Sequence, residues 1–133
     1  MDKKGKNGQS TVEFALLLPL LLMITVLIIE VSLLFHNYLI VTQLARESTR
    51  AGALGNTDDQ IRDYVETGTS WLVNTHFLVG TISEISISPL EAVREQGGTL
   101  TVSIPYRVFI STPYFGEAIG MTMTASSTMR IER

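Results

Sequence analysis

The sequence predicts an α+β protein: a long N-terminal transmembrane and amphipathic helix, then a small head of one further helix and a roughly three-stranded antiparallel sheet. Three observations predict it. Phe14 to Ile29 is an apolar run without a single charge. A helical pattern of apolar positions continues past that run to Gly52 and Gly55. The last third alternates apolar and hydroxyl-bearing residues with the period of a half-buried strand.

The apolar helix comes first. From Val12 to Phe35 the run covers about 24 residues, or roughly 36 Å of helix, enough for a hydrocarbon core of about 30 Å. A soluble core helix would carry a polar stripe, and this one has none. Lys3, Lys4 and Lys6 stand before it and favour a cytoplasmic N-terminus. Arg46 and Arg50, beyond the other end, weaken that asymmetry. A secretory signal would have a shorter apolar region and a small-residue cleavage site, whereas Phe35-His36-Asn37-Tyr38 offers none. Pro19 removes one helical hydrogen bond and predicts a kink near Ala15. That kink is either incidental or an aid to packing against neighbouring helices.

Two carboxylates sit oddly in this run. Glu13 is at its mouth, where a lone carboxylate is costly unless it is paired or reaches the interface. Glu30 lies about two-thirds of the way along. It either reaches the far interface on a tilted helix or is an intramembrane contact with a neighbouring helix, with Thr25 and Ser32 able to contribute hydroxyls.

The amphipathic extension follows. Leu39 and Ile40, Leu44, Ala45 and Ala53 form its apolar stripe, and Gly52 and Gly55 with Asn56 form its stop. A helix from about Ser10 to Ala53 would be roughly 65 Å long. Arg46, Glu47 and Arg50 read as a solvated face with local ion pairs, or as a contact with a neighbouring subunit or lipid headgroups.

Thr57-Asp58-Asp59 caps a second helix reaching about Thr75. Ile61, Tyr64, Val65, Trp71 and Leu72 form its apolar stripe, and Gly68 weakens it. Trp71 and His76 read as core or interface positions. The first strand is expected across Ile82 to Ser88, the second across Thr99 to Val108, the third across Met121 to Ile131. Gln96-Gly97-Gly98 supplies a turn. Pro105 calls for an edge position or an irregularity. Tyr114 and Phe115 anchor a loop to the core or form a contact site.

Composition excludes several functions. The 133 residues leave room for little more than one domain, and the net charge of −3 argues against a nucleic-acid surface. There is no cysteine, hence no disulfide, thiolate metal site or cysteine nucleophile. No catalytic or phosphate-binding motif is present. We expect no enzyme activity, no cofactor and no metal.

The residues around Glu13 are Gly8-Gln9-Ser10-Thr11-Val12-Glu13-Phe14. This spacing resembles the class III signal of type IV prepilins: glycine, four residues, glutamate, then the residue that opens the span. Over GQSTVEFALLLPLLLMITVLIIE, continuing into QLARESTRAGALG, the chain is most similar to TadE-like proteins, minor pseudopilins of tight-adherence (Flp) pilus systems. The resemblance covers about the first 55 residues.

The resemblance implies a leader over 1–8, a transmembrane helix over 9–35, an amphipathic extension over 36–55 and an extracytoplasmic head over 56–133. Prepilin peptidase would cut between Gly8 and Gln9. Glu13, followed by Phe14, would then pair with the new α-amine of its own or an adjacent subunit. Gln9 replaces the aromatic first residue common in type IVa pilins, which puts N-terminal methylation in doubt. The implied partners are that peptidase, other pilins and pseudopilins, the inner-membrane assembly platform and membrane lipid. The implied place is the inner membrane, single-pass, in the filament or at its base. The competing reading is a membrane-anchored binding module of the cell envelope without filament assembly.

Overall fold

In a computed structural model of the chain, backbone is described for residues 5–75, 77–111 and 118–132, with side chains from Gly8 onward apart from that of Ala118. Lys3, Lys4, the Lys6 side chain, His76, Tyr114 and Phe115 lie outside these residues. The chain divides into two compact units, Met1–Leu33 and Leu34–Arg133. Helix α1 spans Gly5–Ala53, helix α2 spans Asp58–Gly68, and a single 3-10 turn, Thr69–Trp71, extends α2. The strands are β1 (Leu78–Ile82), β2 (Ser86–Ser88), β3 (Thr99–Ser111) and β4 (Ala118–Arg130).

The first unit is helical wherever it is described. Its apolar side chains are exposed, from Val12 at 61% through Leu27 at 60%. This part of α1 is long and apolar enough to cross a membrane. The helix continues on both sides of Pro19.

The second unit is the α+β head. The α1 residues it buries are Asn37, Val41, Leu44, Ala45, Ser48, Thr49, Gly52 and Ala53, a stripe at helical spacing. Leu39, expected in that stripe, is instead exposed at 60%. The i, i+4, i+7 pattern runs through Val41, and the polar Asn37, Ser48 and Thr49 disguise it.

Gly52 lies inside the helix, in contact with Leu100 and Ile61; Gly55 is the stop. Gly55 has a φ of 110°, which glycine adopts without a Cβ penalty. There Asn56 N donates to Ala51 O at 3.2 Å and Gly55 N to Gly52 O at 3.1 Å, the pairing of a Schellman cap.

Thr57 caps α2 as expected, and the cap is reciprocal. Gln60 N donates to Thr57 Oγ1 at 3.2 Å and Thr57 N to Gln60 Oε1 at 3.1 Å. The helix ends at Gly68 rather than near Thr75. A Cβ on Gly68 would fall 2.2 Å from Leu44 Cδ2, so this glycine admits the Leu44 side chain.

The sheet has four antiparallel strands, one more than the approximate three expected. The first expected strand is two short ones, β1 and β2, which share one side of β3. β4 takes the whole of its other side, from Thr99↔Arg130 to Ser111↔Ala118. Pro105 explains the break. It sits mid-strand in β3, and its carbonyl accepts from Ser83 N at 2.9 Å in the gap between β1 and β2. A strand residue directs its nitrogen to the same side as its carbonyl. The missing N–H therefore falls at that gap and deprives β4 of nothing.

Leu100, Val102, Ile104, Tyr106 and Val108 of β3 all point to the core and are fully buried. They pack with Val41 and Leu44 of α1 and Ile61 and Val65 of α2. Burying such side chains contributes on the order of 1.5–3 kcal/mol each.

Candidate functional site

The sequence-predicted site residues all lie on α1. Gly8 is exposed, and a Cβ built on it would meet nothing within 4 Å among the described residues. One helical turn on, Gln9 Nε2 donates to Glu13 Oε1 at 3.1 Å. Residues 9 and 13 therefore share one face, as i and i+4 must. Phe14 is 63% exposed. Glu30 is half-buried. Thr25 Oγ1 donates to Leu21 O at 2.9 Å and Ser32 Oγ to Ile28 O at 2.8 Å. These hydroxyl protons stay inside the helix, leaving oxygen lone pairs for a neighbour.

Sequence reasoning missed two polar nodes in the head. The first centres on Asn37, which is fully buried. Its Nδ2 donates to Val73 O at 2.7 Å and to the Tyr106 hydroxyl at 2.9 Å, and its Oδ1 accepts from Val73 N at 2.9 Å. Tyr106 reaches Asn37 because Gly80 stands opposite, where a Cβ would be 1.9 Å from the hydroxyl oxygen. Burial pushes the Tyr106 pKa up, and the Asn37 hydrogen bond partly opposes that.

The second node ties the start of α2 to the 89–94 loop. Arg94 pairs with Asp58 through Nη2 and Oδ1. Its Nη1 donates to Asn56 O at 3.0 Å and its Nε to Pro89 O at 3.3 Å. Glu91 N donates to Asp58 Oδ2 at 3.1 Å, and Asp58 N donates to Glu91 Oε2 at 3.3 Å. No local spacing in the sequence signals this node, because Asn56 and Asp58 are 33 or more residues from Glu91 and Arg94.

Two readings narrow. Of the core and interface positions expected for Trp71, the core is excluded: it lies in the 3-10 turn and is 62% exposed. Glu47 accepts a hydrogen bond from the Tyr64 hydroxyl, a partner on α2 rather than a neighbouring arginine. That bond, more than desolvation and the nearby charge, raises the Tyr64 pKa.

A cleft of about 410 Å³ between α2 and the β1–β2 connection is lined by Arg62, Glu66, Asn74 and Glu84, among others. Among the described residues no group of three or more His, Asp or Glu side chains could hold a metal ion.

A helix long and apolar enough to cross a membrane, joined in sequence to a small α+β head, defines the class, and that helix is its conspicuous exposed apolar surface. A family model described as TadE-like protein matches residues 8–50. That stretch is similar to TadE-like proteins, and it makes up less than half of the chain. No curated protein and no solved structure matches the chain.

Proposed function

We propose that this chain is a minor pseudopilin that prepilin peptidase cuts after Gly8, and that it supports assembly of a Tad pilus by packing its apolar helix against other pilins. The basic leader stays on the cytoplasmic side of the inner membrane and the head outside it. After the cut, the α-amine of Gln9 pairs with Glu13 of the same or a neighbouring subunit. No chemistry on a substrate is involved.

The observation that carries this reading is the Gln9–Glu13 contact at 3.1 Å. The new amine would belong to a residue already one turn below the carboxylate and on its face. Pairing offsets part of the cost of two charges in apolar surroundings and fixes axial register between helices. The unhindered surroundings of Gly8 and the family match that begins there also support it.

The test is mass spectrometry of the membrane-extracted protein from a host with active prepilin peptidase, alongside two variants. The native chain is expected to begin at Gln9. Gly8→Ala introduces no clash with the described residues, so retention of the leader by that variant reports on the peptidase. Glu13→Ala is expected to be cut and then fail to support pili. A native protein that keeps Met1 through Gly8 while pili form normally would falsify the reading.

A further inference from the structure

Trp71 is the only tryptophan in the chain, and it is 62% exposed. Large aromatic side chains are seldom left so open in a soluble head. Its position along α1 follows from a ladder of contacts within the head. A Cβ on Gly52 would lie 2.7 Å from Ile61 Cδ1. Tyr64 bonds to Glu47, Gly68 abuts Leu44, and Val73 bonds to Asn37 in both directions. As the chain advances from 61 to 73, its partners on α1 step back from 52 to 37. Trp71 therefore sits between the levels of Leu44 and Asn37.

The apolar run ends at Phe35. Asn37 lies about 3 Å beyond it along the axis and Leu44 about 13 Å beyond it, at 1.5 Å per residue. The headgroup zone of one leaflet is about 5–7 Å deep. Other exposed apolar side chains occupy this level: Phe35 at 63%, Leu39 at 60% and Val73 at 37%. An indole suits that zone, since its ring favours the glycerol region while its N–H finds an oxygen acceptor.

We propose that this girdle seats the head in the phospholipid headgroup layer, with Trp71 as its anchor. The Asn37–Val73 bonds hold the anchoring segment at that depth. The proposal rests on reading α1 as a membrane span.

Because Trp71 is the sole tryptophan, its fluorescence reports on this site alone. The full chain is reconstituted in phosphatidylcholine vesicles carrying a nitroxide either on the headgroup or deep in the acyl chain. The headgroup label is expected to remove most of the emission, the deep label far less, and aqueous iodide little. Flotation after alkaline carbonate washing reports separately on the span. Protein that floats while Trp71 answers to iodide and ignores both labels overturns the seat but leaves the span standing. Protein that does not float overturns both.

Discussion

Asn37 Nδ2 donates to the Tyr106 hydroxyl at 2.9 Å across 69 residues of sequence. The same amide closes two further bonds with the backbone of Val73. One side chain thus joins α1, the segment after α2 and the central strand. Its removal strands several polar groups at once, each costing about 1–3 kcal/mol when buried and unpaired. Water reaches Val73, so the losses are not simply additive. We expect Asn37→Ala to cost about 2–3 kcal/mol, measured by urea denaturation of the full chain in detergent, followed by tyrosine near-ultraviolet circular dichroism. An unchanged midpoint would show that the node carries no stability.

Tyr106 also predicts an alkaline limit. Burial raises its folded pKa above the ordinary tyrosine value of 10.0. Between those two values the unfolded chain has lost the phenolic proton and the folded chain has kept it, so stability falls as pH rises. The contribution is fully present below about pH 10 and is lost as pH climbs through the folded value. Tyr106→Phe should flatten this decline, apart from what Tyr64 contributes. Urea midpoints at a series of pH values above 9 provide the check, and parallel declines in the two proteins would contradict the assignment.

The parts of the fold legible in the sequence are those set by local rules. Thr57-Asp58-Asp59 announces a helix start, and five alternating apolar residues announce β3. The obscure parts depend on contacts distant in sequence. Gly68 weakens a helix considered alone, yet here it makes room for Leu44. Pro105 is tolerated mid-sheet because the strand beside it is interrupted. Trp71 reads as core or interface by its apolarity, and the end of α2 at Gly68 turns it away from the core. The candidate assembly residues were legible as a motif because Gly8, Gln9 and Glu13 lie within one short stretch of helix. Asn37 and Arg94 gave no such signal.

Ser48 is fully buried, and its hydroxyl has no hydrogen-bond partner among the described residues. A buried hydroxyl without a partner opposes folding, whereas a methyl group in its place does not. Ser48→Ala also improves helix propensity in mid-α1. The variant should be more stable than the parent by about 1 kcal/mol. Thermal unfolding of the two proteins in the same detergent will decide it, and a lower Tm for the variant would mean that the hydroxyl has a native role in the packed helix.

The Asp58–Arg94 pair yields the sharpest contrast between similar substitutions. Both side chains are mostly buried, at 5% exposure for Arg94 and 19% for Asp58. Arg94 also spans two backbone carbonyls, Asn56 O and Pro89 O. A planar guanidinium can bond in three directions at once, and an ammonium on a flexible stem cannot reproduce that geometry. Arg94→Lys should therefore keep the charge and still lose most of the stabilisation, about 2–3 kcal/mol. Asp58→Asn keeps the shape but leaves the arginine uncompensated, at a comparable cost. The double variant should cost less than the sum of the singles, because each alone already breaks the same node. Urea denaturation of all three, with proteolytic nicking of the 89–95 segment as a local readout, tests this. Strict additivity of the two substitutions would mean that the pair does not act as a unit.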